Sequence, residues 1–161
     1  MTLYVLRHAR AGRRSAWKAA DAERPLTKVG RRQAAAAVAF LDGRGITRIV
    51  SSPYVRCRQS VEPLAARLGI PVDLSDALAE GAPLHEVLRI VEKVADEDSV
   101  LCTHGDVIAL LLGHLRDEGV KVRRRNGVPA MEKGSVWELE TRHGTVVKAT
   151  YHKPPSPPAS S

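Results

Sequence analysis

Three short segments carry side chains suited to phosphate chemistry: Arg7-His8-Ala9-Arg10, Ser51-Ser52-Pro53-Tyr54-Val55-Arg56 and Thr103-His104-Gly105. A neutral imidazole can attack phosphorus and hold the phosphoryl group, provided that fixed positive charge meets the equatorial oxygens. Arginine suits that second task better than lysine, because its planar fork binds phosphate oxygens bidentately and keeps its proton. A second histidine supplies another donor to the transition state, and such a site asks for no metal or other cofactor. Taken singly, none of these residues marks a site: a lone histidine after a strand is commonly a structural hydrogen-bonding residue, and a lone helix arginine is commonly solvated. Only the three segments arriving together mark one.

They arrive together only if the strands before them share a sheet. Thr2 to Leu6 is a short β-rich run that ends at Arg7, Ile46 to Val50 is a second that ends at Ser51, and Ser99 to Thr103 is a third with the look of a buried strand. Alanine-rich Thr27 to about Arg44, with Thr27 as N-cap, and Val55 to Leu68, stopped by Gly69, read as helices. Leu84 to Ala95 places Leu84, Val87, Leu88, Val91 and Val94 on one helical face, and a fourth helix, Val107 to Leu115, opens after His104-Gly105. Val72 to Leu74 adds a short strand. Gly134 to Glu140 and Thr145 to Tyr151, flanking a turn at His143-Gly144, read as a terminal hairpin. This alternation predicts an α/β fold in three α/β/α layers, with a mostly parallel central sheet of about six strands, one of them antiparallel. Ligands of open parallel sheets gather at the carboxyl ends of strands, where all three segments fall.

The composition narrows the class. A chain of 161 residues with 43% hydrophobic and 27% charged residues is of single-domain size, which excludes collagen, coiled coil and wholesale disorder. Residues 1–152 are expected to form the domain, and Lys153 to Ser161, with four prolines and three serines, a disordered tail. No apolar run approaches the length of a membrane span and Thr2 to Leu6 lacks the flanks of a signal peptide, so a cytoplasmic protein is expected. Cys57 and Cys102 form neither a disulfide framework nor a zinc spacing. The net charge of +7 suits nucleic acid or phosphate esters as partner. With 4% aromatic residues there is little for stacking platforms, and Arg123-Arg124-Arg125 reads as a solvated loop before the hairpin, so nucleic acid ranks low.

On these motifs the sequence resembles the histidine phosphatase superfamily, phosphoglycerate mutase-like in fold, whose signature is Arg-His-Gly after the first strand. The resemblance runs through Leu3 to Ala9, Pro25-Leu26-Thr27-Lys28-Val29-Gly30-Arg31-Arg32-Gln33-Ala34, Ser51-Ser52 to Gln59-Ser60, and Cys102 to Asp106. The absence of a cap between Arg56 and His104 is similar to the small SixA-type phosphohistidine phosphatases. Ala11-Gly12-Arg13-Arg14-Ser15 to Lys18, Val61-Glu62-Pro63-Leu64-Ala65 and Lys133-Gly134-Ser135-Val136-Trp137 are similar to the phosphatase-like domain fused behind a Nudix hydrolase in some bacterial proteins. The resemblance implies His8 as nucleophile, Arg7 and Arg56 as phosphate clamps, His104 as electrostatic partner, Gly105 beside the substrate, and a carboxylate general acid. Glu80 is the best-placed candidate for that acid, ahead of Asp21 and Glu23. Ala9 stands where the family has glycine, which is harmless only if its φ is negative.

Met1 to Arg32 holds nine Lys/Arg residues against Asp21 and Glu23 alone. Arg10, Arg13, Arg14 and Lys18 follow the histidine closely and are expected to rim the pocket as substrate-binding residues; Trp17 could stack on a base or pack on the domain. The leading expectation is a metal-independent hydrolase of a phosphohistidine protein or a small phosphorylated metabolite, working through phospho-His8. A nucleotide or polyphosphate phosphatase is the second. A phosphate-binding regulatory module, its turnover weakened by Ala9, is the third.

Overall fold

The computed structural model describes residues 1–156. The first strand, β1 (Thr2–Arg7), alternates its side chains between two apolar layers: Leu3 and Val5 belong to one buried cluster, Tyr4 and Leu6 to the other. Two single-turn 3-10 helices, Arg14–Ala16 and Asp21–Glu23, lead to α1 (Lys28–Leu41), where the Thr27 hydroxyl accepts a hydrogen bond from Gly30 N as the N-cap pattern predicts. There follow β2 (Arg48–Ser51), α2 (Val55–Leu68), β3 (Val72–Leu74), a 3-10 turn at Asp76–Leu78, α3 (Leu84–Lys93), β4 (Ser99–Thr103) and α4 (Gly105–Asp117). Gly69 ends α2 in the left-handed conformation, which costs glycine nothing.

After α4 a two-stranded ribbon, β5 (Arg124–Arg125) and β6 (Val128–Pro129), precedes the terminal hairpin of β7 (Val136–Arg142) and β8 (Thr145–His152). The ribbon corrects the expectation of a plain loop over Arg123 to Arg125. Asn126 and Gly127 both take positive φ, the two-residue turn that an Asn-Gly pair favours. His143 and Gly144 do the same in the terminal hairpin.

The main sheet has the order β3-β2-β4-β1-β7-β8. β1 to β4 are parallel, β7 runs against both of its neighbours, and β8 therefore returns to the common direction. One strand of six is antiparallel. One sheet face buries Val50, Leu101 and Trp137 with side chains of α3 and α4; the other buries Ile49, Val100 and Val136 with side chains of α1 and α2. The layers are thus α1–α2, sheet, α3–α4. Because β4 lies between β1 and β2, the carboxyl ends of these three strands are adjacent, and the segments singled out in the sequence meet there.

Candidate active site

His8 is buried at the end of β1. Its backbone N–H donates to Thr103 O at 3.1 Å, and its Nδ1 lies 2.8 Å from Ala9 O. That contact assigns the ring proton to Nδ1, since a carbonyl only accepts, and leaves the Nε2 lone pair uncommitted. Burial first, opposed by the Ala9 hydrogen bond and reinforced by His104, Arg56 and Arg7, lowers the His8 pKa to about 3. At neutral pH the ring is an uncharged imidazole lining a pocket of about 350 Å³.

His104 caps the N-terminus of α4, and its ring lies 5.4 Å from that of His8. Ser52 Oγ is 2.9 Å from His104 Nε2 and accepts from Tyr54 N at 3.3 Å, so Nε2 is the ring nitrogen already engaged and Nδ1 is the one left over. That Nδ1 is buried without a hydrogen-bond partner, as are Arg7 Nε and Arg56 Nε. Buried polar atoms are normally satisfied, and three orphans on residues that line one pocket form a cradle for an oxyanion. Arg7 Nη1 is anchored on Met131 O at 2.7 Å. Gly105 keeps the guanidinium close to the start of α4: a Cβ there would lie 3.0 Å from Arg7 Cζ. The positive end of the α4 dipole adds to the same potential.

Arg56, 1% exposed, donates from Nη1 to Asp21 O at 2.9 Å and from Nη2 to Asp21 Oδ2 at 3.1 Å. Burial opposes ionisation of Asp21, but the hydrogen bonds and charges of Arg24 and Arg56 prevail and hold its carboxyl below the usual range. Asp21 is therefore the counter-ion of the clamp, which the sequence weighed only as a possible acid; Glu23 is exposed. Glu80 lines the pocket, with Oε1 3.0 Å from Arg14 Nη2 and Oε2 3.7 Å from Arg56 Nη2.

The pocket brings together Arg7, His8, Arg13, Arg14, Arg56, Glu80, His104 and Gly105. Two rim residues fall elsewhere. The Arg10 backbone turns toward α1, where its carbonyl accepts from Thr27 N and its N–H donates to Gln33 Oε1, so its side chain lines a neighbouring cleft. Lys18 lies beyond the turn at Arg14–Ala16, exposed and outside the pocket lining. Trp17 donates from Nε1 to Ala20 O at 2.8 Å, bracing its own loop. Sequence reasoning missed Arg24, Asp106 and Lys133 in the lining. Asp106, two residues past His104, and Lys133, before β7, each sat in a matched stretch, but nothing in the spacing gave either a role in the pocket.

Ala9 does not have positive φ, and its side chain packs against Leu26 and Ala34 while its N–H donates to Ser60 Oγ at 2.9 Å. The methyl group in place of the family glycine is accommodated. Gly30 has the stricter requirement, because a Cβ would lie 2.0 Å from Arg10 O, where α1 crosses the loop that follows His8.

A parallel sheet with a histidine at the end of β1, a second capping α4 and two arginines between them is the arrangement of a phosphoglycerate mutase-like fold. The chain belongs to the histidine phosphatase superfamily, whose branch 1 pattern matches residues 3–82. It is 39% identical over 159 residues to an 8-oxo-(d)GTP phosphatase of Mycolicibacterium smegmatis; the match covers 96% of this chain and 48% of that protein, so the chain spans about half the length of its relative. Among solved structures it resembles the protein histidine phosphatase SixA complexed with tungstate, with TM-score 0.73 and 21% identity over 98% of this chain and 97% of that one. It also resembles a mycobacterial glucosyl-3-phosphoglycerate phosphatase, with TM-score 0.69 and 20% identity over 93% and 96% of the two chains. These last two likenesses establish the fold, which hosts more than one substrate class. Among the described residues no helix is long and apolar enough to cross a membrane.

Proposed function

We propose that the chain is a metal-independent phosphatase that transfers a phosphoryl group to His8 Nε2, with a nucleoside phosphate as substrate. One observation carries the reading: a neutral, buried imidazole with a free Nε2 shares its pocket with the orphaned donors Arg7 Nε and Arg56 Nε and with the unpartnered His104 Nδ1. The Nε2 lone pair attacks phosphorus as the bond to the leaving oxygen breaks, and the arginines and His104 hold the equatorial charge that develops. Glu80, or Asp106 across the same pocket, gives the leaving oxygen its proton. Water then attacks the phosphohistidine and gives a proton to that same carboxylate, now ionised, as the P–N bond breaks and the electron pair returns to Nε2. The charge that a metal would supply elsewhere comes here from guanidinium groups.

The lining holds Arg7, Arg13, Arg14, Arg24, Arg56 and Lys133 against Glu80 and Asp106, an excess of positive charge larger than a lone phosphate monoester needs. That excess and the 39% identical relative favour a nucleotide over a phosphohistidine protein, which the SixA likeness keeps as the second reading. A binding module without turnover loses its motive, since Ala9 adopts its place without positive φ.

Hydrolysis of p-nitrophenyl phosphate in the presence of EDTA, by the native protein and by His8→Ala, tests the chemistry. Turnover lost in His8→Ala, with acid-labile, base-stable label on the native chain after quenching, is the expected result. Label on serine or cysteine, or equal turnover in both proteins, overturns it. A panel of nucleotides and a phosphohistidine peptide then separates the two substrates.

A further inference from the structure

Beside the catalytic pocket lies a second, larger cleft of about 640 Å³. Its cations are Arg10, Lys133 and Lys153, drawn from the loop after His8, from the segment before β7 and from the chain beyond β8. Lys133 lines both cavities, so the two are neighbours on either side of one side chain. The side chain of Gln33 on α1 ties the cleft together: its Oε1 accepts from Arg10 N at 2.9 Å and its Nε2 donates to Lys133 O at 3.2 Å. The spacing of Arg10 and Lys133 is therefore set by two hydrogen bonds to one amide.

Among the described residues none of Arg10, Lys133 and Lys153 is engaged in an ion pair, whereas Arg14, Arg24 and Arg56 next door all pair with Asp21 or Glu80. Burial, and then the charges of Arg7, Arg24, Arg10 and Arg56, push the Lys133 ammonium below its ordinary range. Like charges gathered in excess of their counter-charge repel one another, and an anion bound between them relieves that cost. Glu132 supplies the one carboxylate in the cleft lining. Val29, Pro154 and Pro155 give it an apolar side, so the cleft is not uniformly charged.

We propose that the cleft of Arg10, Lys133 and Lys153 is an anion subsite that takes a second phosphoryl group, joined through an anhydride bond to the one that faces His8. The inference rests on the phosphatase reading of the neighbouring pocket and narrows its substrate to phosphoanhydride compounds. A nucleoside triphosphate and an inorganic polyphosphate share this chemistry. With Lys133 between the cavities, one phosphoryl group sits among Arg7, Arg56 and His104 while the next meets Lys133 and Arg10, and Lys153 faces the chain as it leaves.

The test reads binding rather than turnover, so it stands apart from the fate of the phosphatase reading. In His8→Ala protein with EDTA present, calorimetry measures the Kd of orthophosphate, inorganic tripolyphosphate and dGTP. Tripolyphosphate is expected to bind at least tenfold more tightly than orthophosphate. Adding Arg10→Ala and Lys153→Ala should reduce that advantage to within twofold. Both side chains are exposed, and an unchanged Tm checks that the fold is kept. A dGTP affinity equal to that of tripolyphosphate means that the anhydride chain alone is read; a tighter one adds a nucleoside contact to the same subsite. No advantage of tripolyphosphate over orthophosphate, or an advantage untouched by the double substitution, overturns the proposal. Failure of the phosphatase reading instead shows as absence of label on His8, whatever the Kd values.

Discussion

An imidazole kept neutral by burial and by nearby positive charge is insensitive to ordinary changes of pH. Unfolded, His8 takes up its proton near 6.5; folded, it does so at about 3. Its contribution to stability is therefore complete above pH 6.5 and is lost as the pH falls from 6.5 toward 3. Followed by NMR in the free protein, the His8 ring should keep the shifts of a neutral imidazole from pH 8 down to pH 5; a midpoint near 6.5 would show that its surroundings have been misread. Arg56 gives a second expectation. Arg56→Ala removes a clamp and leaves Asp21 paired with Arg24 and Arg14 alone, so kcat/KM for p-nitrophenyl phosphate should fall by about 10²-fold or more. Arg56→Lys should recover only part of that, because an ammonium cannot reproduce the fork that binds Asp21 O and Oδ2.

The segment Pro25-Leu26-Thr27-Lys28-Val29-Gly30 joins α1 to the loop after His8. The Arg10 carbonyl accepts from Thr27 N, Leu26 bridges to Ala11, and Gly30 leaves room for that same carbonyl. Gly30→Ala should therefore cost about 1–3 kcal/mol in a denaturation experiment, as overpacking against backbone does, and should slow turnover as well by shifting the loop. A neutral result would mean that α1 can slide. Helices and strands were legible where periodicity was clean and punctuation strong: α2 stops at Gly69, and Thr27 caps α1. The pocket was legible as far as its residues sit at strand ends, because topology collects them. Arg10 and Arg13 looked alike in the sequence and point to different cavities, since a loop's side chains follow its hydrogen bonds rather than a period. Asp21 and Arg24 belong to a segment without regular spacing, Lys133 to a matched stretch that gave it no role, and only tertiary contacts place all three. The ribbon of β5 and β6 had its signal in Asn126-Gly127, which composition alone read as loop.

Over the whole molecule the +7 charge sets a background field that draws in polyanions from solution. Raising the salt should lower kcat/KM for a nucleoside triphosphate through this long-range part, which is screened over about 8 Å at physiological ionic strength, while contacts inside the pocket persist. Residues 157–161 lie outside the described residues, and Lys153–Ser156 lies along the second cleft. Since β8 ends at His152, removing residues 153–161 should leave the Tm and p-nitrophenyl phosphate turnover nearly unchanged; a drop of many degrees would show that the tail is part of the core. The hydrogen bonds from Arg7 to Met131 O, and from Gly134 N to the carbonyls of Arg7 and His8, tie the start of the chain to a segment more than a hundred residues later. In folding terms the anion cradle is a late event: such non-local closure is slow, and Arg7 has no fixed position until β7 has docked beside β1. Trp137, fully buried on β7, reports that docking. In a Trp17→Phe background its fluorescence change and the gain of orthophosphate binding should share one refolding rate, so that a partly made chain neither captures nor consumes phosphate esters.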